Sequence, residues 1–591
     1  MRKKLIPAVA AVLAVISCNK EAPVTPATKF EFTATTEDTK TALDGNKVRW
    51  NEGDLISING AKYKAYPRES GTKADFEYID GSVPMAPYTA IYPFEGAEET
   101  EPGVFSSVIP TVQQYTAGSF CSGSFPMMAK SEGKDLVFKN VGAALKITPS
   151  TGWKDLKIRQ LKVSAAECLA GDIRIEWPEG GLPAASGADA NSVTLDCGEG
   201  VDFNTPLFLS IAPGVYSSLT IEIITDNGGV YSETASGTYN IGRSQLASFT
   251  VGANEIICDL SNNIADTPSY PKPETANCYL IKKMGAYSFP VTIKGNGVSP
   301  DGSATAIEGA EKVKVLLQDG SLAATAFRLS DDKSRMLFET DKEKSLTAGT
   351  AIVGVLDSEN KVLWSWTIWA CPGICEQTVG NYTFLDRNIG AYVKGYTESG
   401  FDGFYYQYGR KDPFPQGNDK GRINAIPGWA YLRTTEISVE TAIQNPRTWL
   451  EATDNATSGI DWCSTTRYDW WDKGRKASSG DRETVKTMYD PCPVGYKVPG
   501  RTAMLALKAA AASKISSSNL AIGDWKLAAT GFRTPGASYN GVNANHGSSV
   551  NVWTSHAYST SYAYTLSSDK TETVQKAYSR RYALPVLPQK N

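Results

Sequence analysis

Histidine is nearly missing from this chain: His546 and His556 are the two among 591 residues. Imidazole is the usual general base, nucleophile partner and transition-metal ligand, so most triad and zinc chemistries lack parts. An excess of charge of one sign is missing as well. Fifty-nine Lys and Arg against 63 Asp and Glu leave a net charge of −4, too small for the electrostatic footprint of a nucleic-acid binder. No apolar run reaches the roughly 20 residues a helix needs to cross a bilayer. There is no Gly-rich phosphate loop, Gly-x-Ser-x-Gly elbow, His-Glu-x-x-His or Cys-x-x-Cys. Nothing therefore supports nucleotide, α/β-hydrolase or metalloprotease chemistry, no cofactor or metal is expected, and the reading is of a non-enzyme.

What is present is globular. With 41% hydrophobic and 21% charged residues the chain can bury real cores, and its length predicts three to five domains. At the N-terminus, Met1-Arg2-Lys3-Lys4 is basic, Leu5 to Ile16 is apolar, and Val15-Ile16-Ser17-Cys18 has the order of a lipobox. Residues 1–18 are thus expected to be a lipoprotein signal, Cys18 the lipidated residue, and Ala22 to Ala27 a tether. Without Cys18, nine cysteines remain, an odd number, so at least one thiol is expected to be free. Cys371-Pro-Gly-Ile-Cys375 reads as a local disulfide or two core thiols.

From Lys29 to Leu260, short alternating runs such as Lys47-Val48-Arg49-Trp50, Leu55-Ile56-Ser57-Ile58, Leu136-Val137-Phe138 and Leu219 to Ile224 lie between Gly, Asp and Asn, and argue for antiparallel β-structure. Asp266 to Pro273 carries three prolines and reads as a linker. Val291 to Ile293, Val313 to Leu317 and Ala351 to Val355 predict one further small β-domain. Ten of the thirteen tryptophans fall from Trp364 onward, where strands become less regular. A helix is predicted from Thr502, as cap, through Ala512, with Met504, Leu507 and Ala511 on one face; this makes the last domain α+β.

Tyr405, Tyr406, Tyr408, Trp429, Trp470 and Trp471 are candidates for stacking on a sugar or anchoring a protein, although core packing is expected for most of them. Asp386, Arg387, Asp402, Arg410, Lys411 and Asp412 could pass for a catalytic set. Their expected role is structural, with Arg387 and Arg410 pairing buried Asp side chains. Both histidines are expected on the surface or in loops.

Five segments in order, Thr39 to Leu43, Val48 to Asp54, Tyr88 to Pro93, Pro126 to Lys146 and Leu209 to Pro213, resemble the fimbrillin-like lipoproteins of Bacteroidales over about the first 260 residues. Asn19-Lys20-Glu21 is similar to the export signal of surface lipoproteins from the same bacteria. The resemblance implies two tandem transthyretin-like β-sandwiches, over 28–150 and 151–262, in a subunit of pili built from lipid-anchored precursors. Phe384 to Ala391, Gly403 to Pro415 and Asp490 to Pro499 resemble a second family, the paralogous surface domain first named from Fibrobacter, similar in fold to C-type lectins. That implies a lectin-like domain over 380–591, after a small β-domain over 274–372. The tripeptides that bind calcium in C-type lectins are missing. So is that family's cysteine in the last strand, which leaves Cys463 as the alternative disulfide partner of Cys492.

Together these resemblances imply a mainly β protein: a minor or tip subunit of a fimbrium. It would be anchored in the outer membrane by lipid, then displayed on the cell surface. Its partners would be other fimbrial subunits, through donor-strand exchange, and a surface glycan or protein. The alternative is a stand-alone surface lipoprotein that binds polysaccharide for nutrient uptake. The family's protease is trypsin-like, so processing is expected after Arg49, the first arginine after Cys18, or else at Lys40 or Lys29.

Overall fold

The computed structural model describes residues 31–36, 49–69, 71–263, 272–396, 402–415, 422–453, 461–465, 467–476, 479–536, 538 and 540–591. Cys18, Lys29 and Lys40 lie outside them. The protein is mainly β, and its first unit shows why. In Ala61–Pro67 the side chains of Ala61, Tyr63 and Ala65 are buried while Lys62 and Lys64 are half-buried, the period-2 pattern of a strand with one covered face. Seven such strands, Phe32–Thr36, Leu55–Ile58, Ala61–Pro67, Lys73–Asp80, Tyr88–Tyr92, Met127–Ser131 and Asp135–Asn140, close into a barrel. A sandwich was expected here. Closure comes from Phe32–Thr36, which pairs antiparallel with Lys73–Asp80 and parallel with Asp135–Asn140, so neither neighbour is left as a free edge.

The second unit begins before the first is finished. Val104–Ile109 and Val112–Gln114 leave the barrel to pair with Gly171–Glu176 and Ser192–Asp202. Ala143–Ser150 pairs with Leu207–Ile211 and Leu246–Gly252. The two units are therefore interleaved across the expected division at residue 150. In the second, Leu145, Ile147 and Leu209 share one core with Leu161, Val163, Ile221 and Ile223 of the long sheet.

That long sheet also crosses the expected linker. Ile257–Asp259 pairs with Gly229 and Val230 on one side and, in parallel, with Ala286 to Ser288 on the other, giving nine strands from Val112–Gln114 to Phe327–Leu329. Arg335 adds an ion pair to Asp259 (2.5 Å) and Ser345 a hydrogen bond to Asp155 (2.5 Å). The flanks of the proline-rich stretch pair with each other, Asn262 with Pro273 and Asn263 with Lys272.

The strand expected at Val291 to Ile293 lies just upstream, at Ala286–Pro290. A second sheet, Cys278–Ile281, Val362–Ala370, Gly349–Leu356 and Lys312–Gln318, supplies two strands with nearly every residue buried. Both faces are covered: Val353 and Trp366 pack in one cluster with Tyr406, Tyr408 and Trp471, and Ile352 in another with Tyr405, Phe414 and Trp449. The regions 274–372 and 380–591 thus share their cores. Within the latter, the α-helices among the described residues are Val439–Gln444 and Arg501–Ala510. The second begins at Arg501 with Gly500 at its cap, so Thr502 is inside the helix and does not cap it. Met504 and Leu507 are buried, as expected from their spacing.

Because the sheet crosses residues 257–259, a fragment from Glu255 to Asn591 is expected to be more stable than one from Thr275 by about 2 kcal/mol or more. The difference reflects the apolar burial and ladder bonds that the shorter fragment loses. Urea denaturation of the two measures it, and equal midpoints would show that the shared strand contributes nothing.

Candidate functional site

Two places gather groups that a partner could use. The first is the barrel seam. Phe32 and Ala34 point inward from the closing strand. The Phe32 ring meets Tyr63 at 5.2 Å and Tyr88 at 5.0 Å, both edge-on, and the Lys134 ammonium lies 5.5 Å from its centroid. Burying a Phe side chain of this kind stabilises by about 2–3 kcal/mol. At the other end of the strand, Thr36 donates its amide to Thr72, and Arg49, next to Trp50, is exposed. Arg49 does not belong to a strand, as its Lys47-Val48-Arg49-Trp50 pattern suggests. It precedes Trp50, which is buried against Phe76, Tyr92 and Phe138 at 5.1–5.4 Å and gives its amide to Gly71 (2.8 Å). Behind Trp50, burial pushes the Asp54 carboxyl above its ordinary value, although Ser122, the Asn51 amide and Tyr92 all donate to it.

The second place is a cleft of about 290 Å³ beside the sheet formed by Val550–Ala557, Tyr562–Ser568 and Thr573–Ser579. The residues that line it all carry a polar side-chain group and include Asn545, Asn551, Ser567, Asp569, Lys570 and Tyr578. Asn551, buried in its strand, donates to Ser549 (2.8 Å) and accepts from Ser567 (2.9 Å), so the floor is rigid. Hydrogen bonds from the Thr571 hydroxyl and amide and from the Glu572 amide hold the Asp569 carboxyl down at about 2. Lys570 is exposed and has no ion-pair partner among the described residues. Hydroxyls, amides, one carboxylate that stays ionised and an unpaired ammonium suit hydrogen bonding to a polar ligand.

The residues singled out from sequence lie elsewhere. Tyr405, Tyr406, Trp470 and Trp471 are at most 1% exposed, and Tyr408 and Trp429 are buried too, so none forms a contact surface. They are the frame of an irregular region. Tyr408 donates to the Ser555 carbonyl (2.7 Å), Trp471 to Tyr489 (3.0 Å), and Trp462 to Tyr408 (2.7 Å). Cys463 and Cys492 are buried free thiols, not a disulfide, and Cys371 and Cys375 are likewise free. Arg387 and Arg410 each lie beside a buried Asp side chain, as expected of them. Arg387 grips Asp386 with two bonds of 2.7 and 2.9 Å and reaches the Gly373 and Tyr392 carbonyls; burial raises the Asp386 carboxyl, but these bonds and the one from Cys375 outweigh it and keep it low. Arg410 and Lys411 sit beside Asp412 at 3.7 and 2.5 Å.

His556 is fully buried in a strand, contrary to the surface position expected of it. Its Nδ1 accepts the Arg501 amide (3.4 Å) and its Nε2 lies 3.6 Å from Asp472. Burial, then the charges of Arg475, Arg482 and Arg501, push the imidazole down to about 3. Sequence reasoning missed the polar cleft, whose nearest signal was the run of Ser, Thr and Asn from Asn543 to Thr571.

No protein-family model matches the chain, and no curated protein does. Six solved chains are similar. A candidate cell-adhesion protein of Bacteroides ovatus is 13% identical, with 38% of this chain and 93% of that one covered and a TM-score of 0.27. A fimbrial protein of the same species is 11% identical, with 39% and 50% covered and a TM-score of 0.20. A candidate cell-adhesion protein of Bacteroides thetaiotaomicron is 11% identical, with 37% and 92% covered and a TM-score of 0.20. Scores this low leave the fold to be argued from its own strands.

The buried imidazole makes stability depend on pH. Its folded value of about 3 lies below the ordinary 6.5, so its contribution is complete above 6.5 and is lost as pH falls toward 3, when the unfolded chain takes up a proton that the folded one refuses. Between pH 6 and 4, His556→Gln is expected to flatten the slope of unfolding free energy by about 1.4 kcal/mol per pH unit. Denaturant titrations at stepped pH check it.

Proposed function

We propose that this chain is a minor or tip subunit of a cell-surface fimbrium, made as a precursor anchored in the outer membrane through lipid on Cys18. The observation that carries the reading is the seam. One short strand, Phe32–Thr36, closes the barrel between two others, and beside the turn that its Thr36 end bonds lies an exposed arginine, Arg49. Cleavage after Arg49 would release lipid and strand together. The edges of Lys73–Asp80 and Asp135–Asn140 would then be unpaired beside the vacated Phe32 slot, and a strand from another subunit could fill it by β-augmentation. The far end of the fold supports a receiving role. Gln589–Lys590 is paired on both sides, with Tyr382–Leu385 and Tyr496–Lys497, and so is not free to be donated. The C-terminal region then serves recognition, with the polar cleft as its ligand site for a surface glycan or protein, and no catalysis is assigned to it.

Trp50 favours a second reading. The residue after Arg49 is buried among three rings with its amide bonded, so a protease must first unseat it. A surface lipoprotein that keeps its strand and binds polysaccharide for uptake needs no such step.

The N-terminal residue of the protein recovered from cells separates the two. Trp50 is expected for the fimbrial subunit, and lipidated Cys18 would overturn that reading. Arg49→Ala is expected to leave a longer, lipidated form in the outer membrane, absent from purified fimbriae; normal incorporation would exclude Arg49 as the processing site. In the full chain, Asn551→Asp with Lys570→Glu is expected to lower adhesion at least tenfold, about 1.4 kcal/mol, with unchanged fimbrial incorporation. Unchanged adhesion on a glycan and protein array would remove the cleft from the function.

A further inference from the structure

We propose that the loop between Asp80 and Tyr88 is a membrane-contact surface, which seats the barrel on the lipid bilayer while the chain is tethered there through its N-terminus. The inference rests on the reading of Cys18 as the lipidated residue. Val83 and Met85 are 74% and 81% exposed, more than any other large hydrophobic residue described, and Ile79 beside them is 47% exposed. Val83 and Met85 belong to Gly81-Ser82-Val83-Pro84-Met85-Ala86-Pro87, where six of the seven residues are exposed, and Ile79 is two residues before it. Large apolar side chains left in water at one spot mark a contact surface.

The loop is held in place. Asn59 donates its side-chain amide to the Met85 and Pro87 carbonyls (2.9 and 3.0 Å) and accepts the Thr89 amide (2.7 Å). The Tyr78 hydroxyl bonds to the Gly81 carbonyl. Gly81 itself has φ of +107°, and a Cβ there would come within 2.8 Å of the Ala61 backbone, so the loop can leave the strand at this angle only through glycine. A surface already ordered loses little freedom when it docks.

Position selects the occupant. Phe32 pairs with Phe76 in an antiparallel register, and the Glu31 amide bonds to the Phe76 carbonyl, so Glu31 is at the end of this strand that faces the Asp80 end of Lys73–Asp80. That is the end that carries this loop. Arg49, bonded through Trp50 to the 68–73 turn, is at the opposite end. Twelve residues separate Cys18 from Glu31, a tether of at most about 47 Å, which holds this end of the barrel near the membrane. Three side chains are too small a patch for a stable dimer, which needs about 800 Å² from each partner. They suit shallow insertion among lipid headgroups by a protein already anchored there.

Met85 is the one exposed methionine among the described residues, since Met127, Met128, Met284, Met336, Met488 and Met504 are all buried. Oxidation by hydrogen peroxide, read by mass spectrometry, therefore reports on the loop without mutation. The chain from residue 19 is tethered by an N-terminal hexahistidine to phosphatidylcholine vesicles that contain a nickel-chelating lipid; a second form carries the tag after Asn591. Met85 is expected to oxidise several-fold more slowly on the N-terminal tether than in solution, and at the solution rate on the C-terminal tether. Val83→Asp should restore the solution rate while tethering persists. Equal rates in solution and on the N-terminal tether would overturn the proposal, as would equal protection by both tethers. Protection that grows with protein concentration without vesicles would also overturn it, and would assign the loop to self-association. The artificial tether makes these outcomes independent of native lipidation, which palmitate labelling of Cys18 tests separately.

Discussion

Buried side-chain donors that reach backbone carbonyls are the constraint on which the C-terminal half depends. A region with so few regular elements leaves carbonyls that no ladder satisfies, and a carbonyl buried without a partner is costly. Asn277 shows the solution. It is buried, accepts the Trp364 indole (2.9 Å), and donates to the Met488 and Asp490 carbonyls (2.7 and 2.8 Å). Trp369, Trp553, Arg533 and Arg580 do the same for Ala391, Tyr406, Gly541 and Thr560. Indoles and guanidiniums are thus used here both for volume and as fixed donors, which explains why a loop-rich region is so rich in tryptophan.

The same donors join what sequence separates. Asn277 belongs to the small β-unit and its acceptors to the C-terminal region, while the sheet through Ile257–Asp259 ties that β-unit to the one before it. From the second unit onward the chain is not a string of independent beads. Such coupling means that force on one unit reaches the next through shared strands and shared core.

The barrel is organised differently. Its closure rests on one strand of five residues, flanked by an apolar loop at one end and an exposed arginine at the other. A closed barrel has no edges to offer other chains; without that strand it has two, beside a slot shaped for an aromatic ring. One short element can therefore decide whether the unit is inert or receptive.

The alternation of Leu55–Ile58, Asp135–Asn140 and Gly214–Thr225 was legible as β-structure in the sequence, as was the buried helix face of Met504 and Leu507. So was the pairing of Arg387 with a buried Asp side chain, though not which one, because charges next to apolar motifs have few other ways to be buried. These are local rules, set by the period of the backbone and the cost of an unpaired charge. Tertiary structure alone decided that Phe32–Thr36 closes a barrel, that Val104–Ile109 joins the second unit, that His556 is buried, and that Asn551, Ser567 and Asp569 share a cleft. Each of these depends on which strand lies beside which, and strand pairing between distant segments is governed by the summed fit of whole faces. No single segment contains that information.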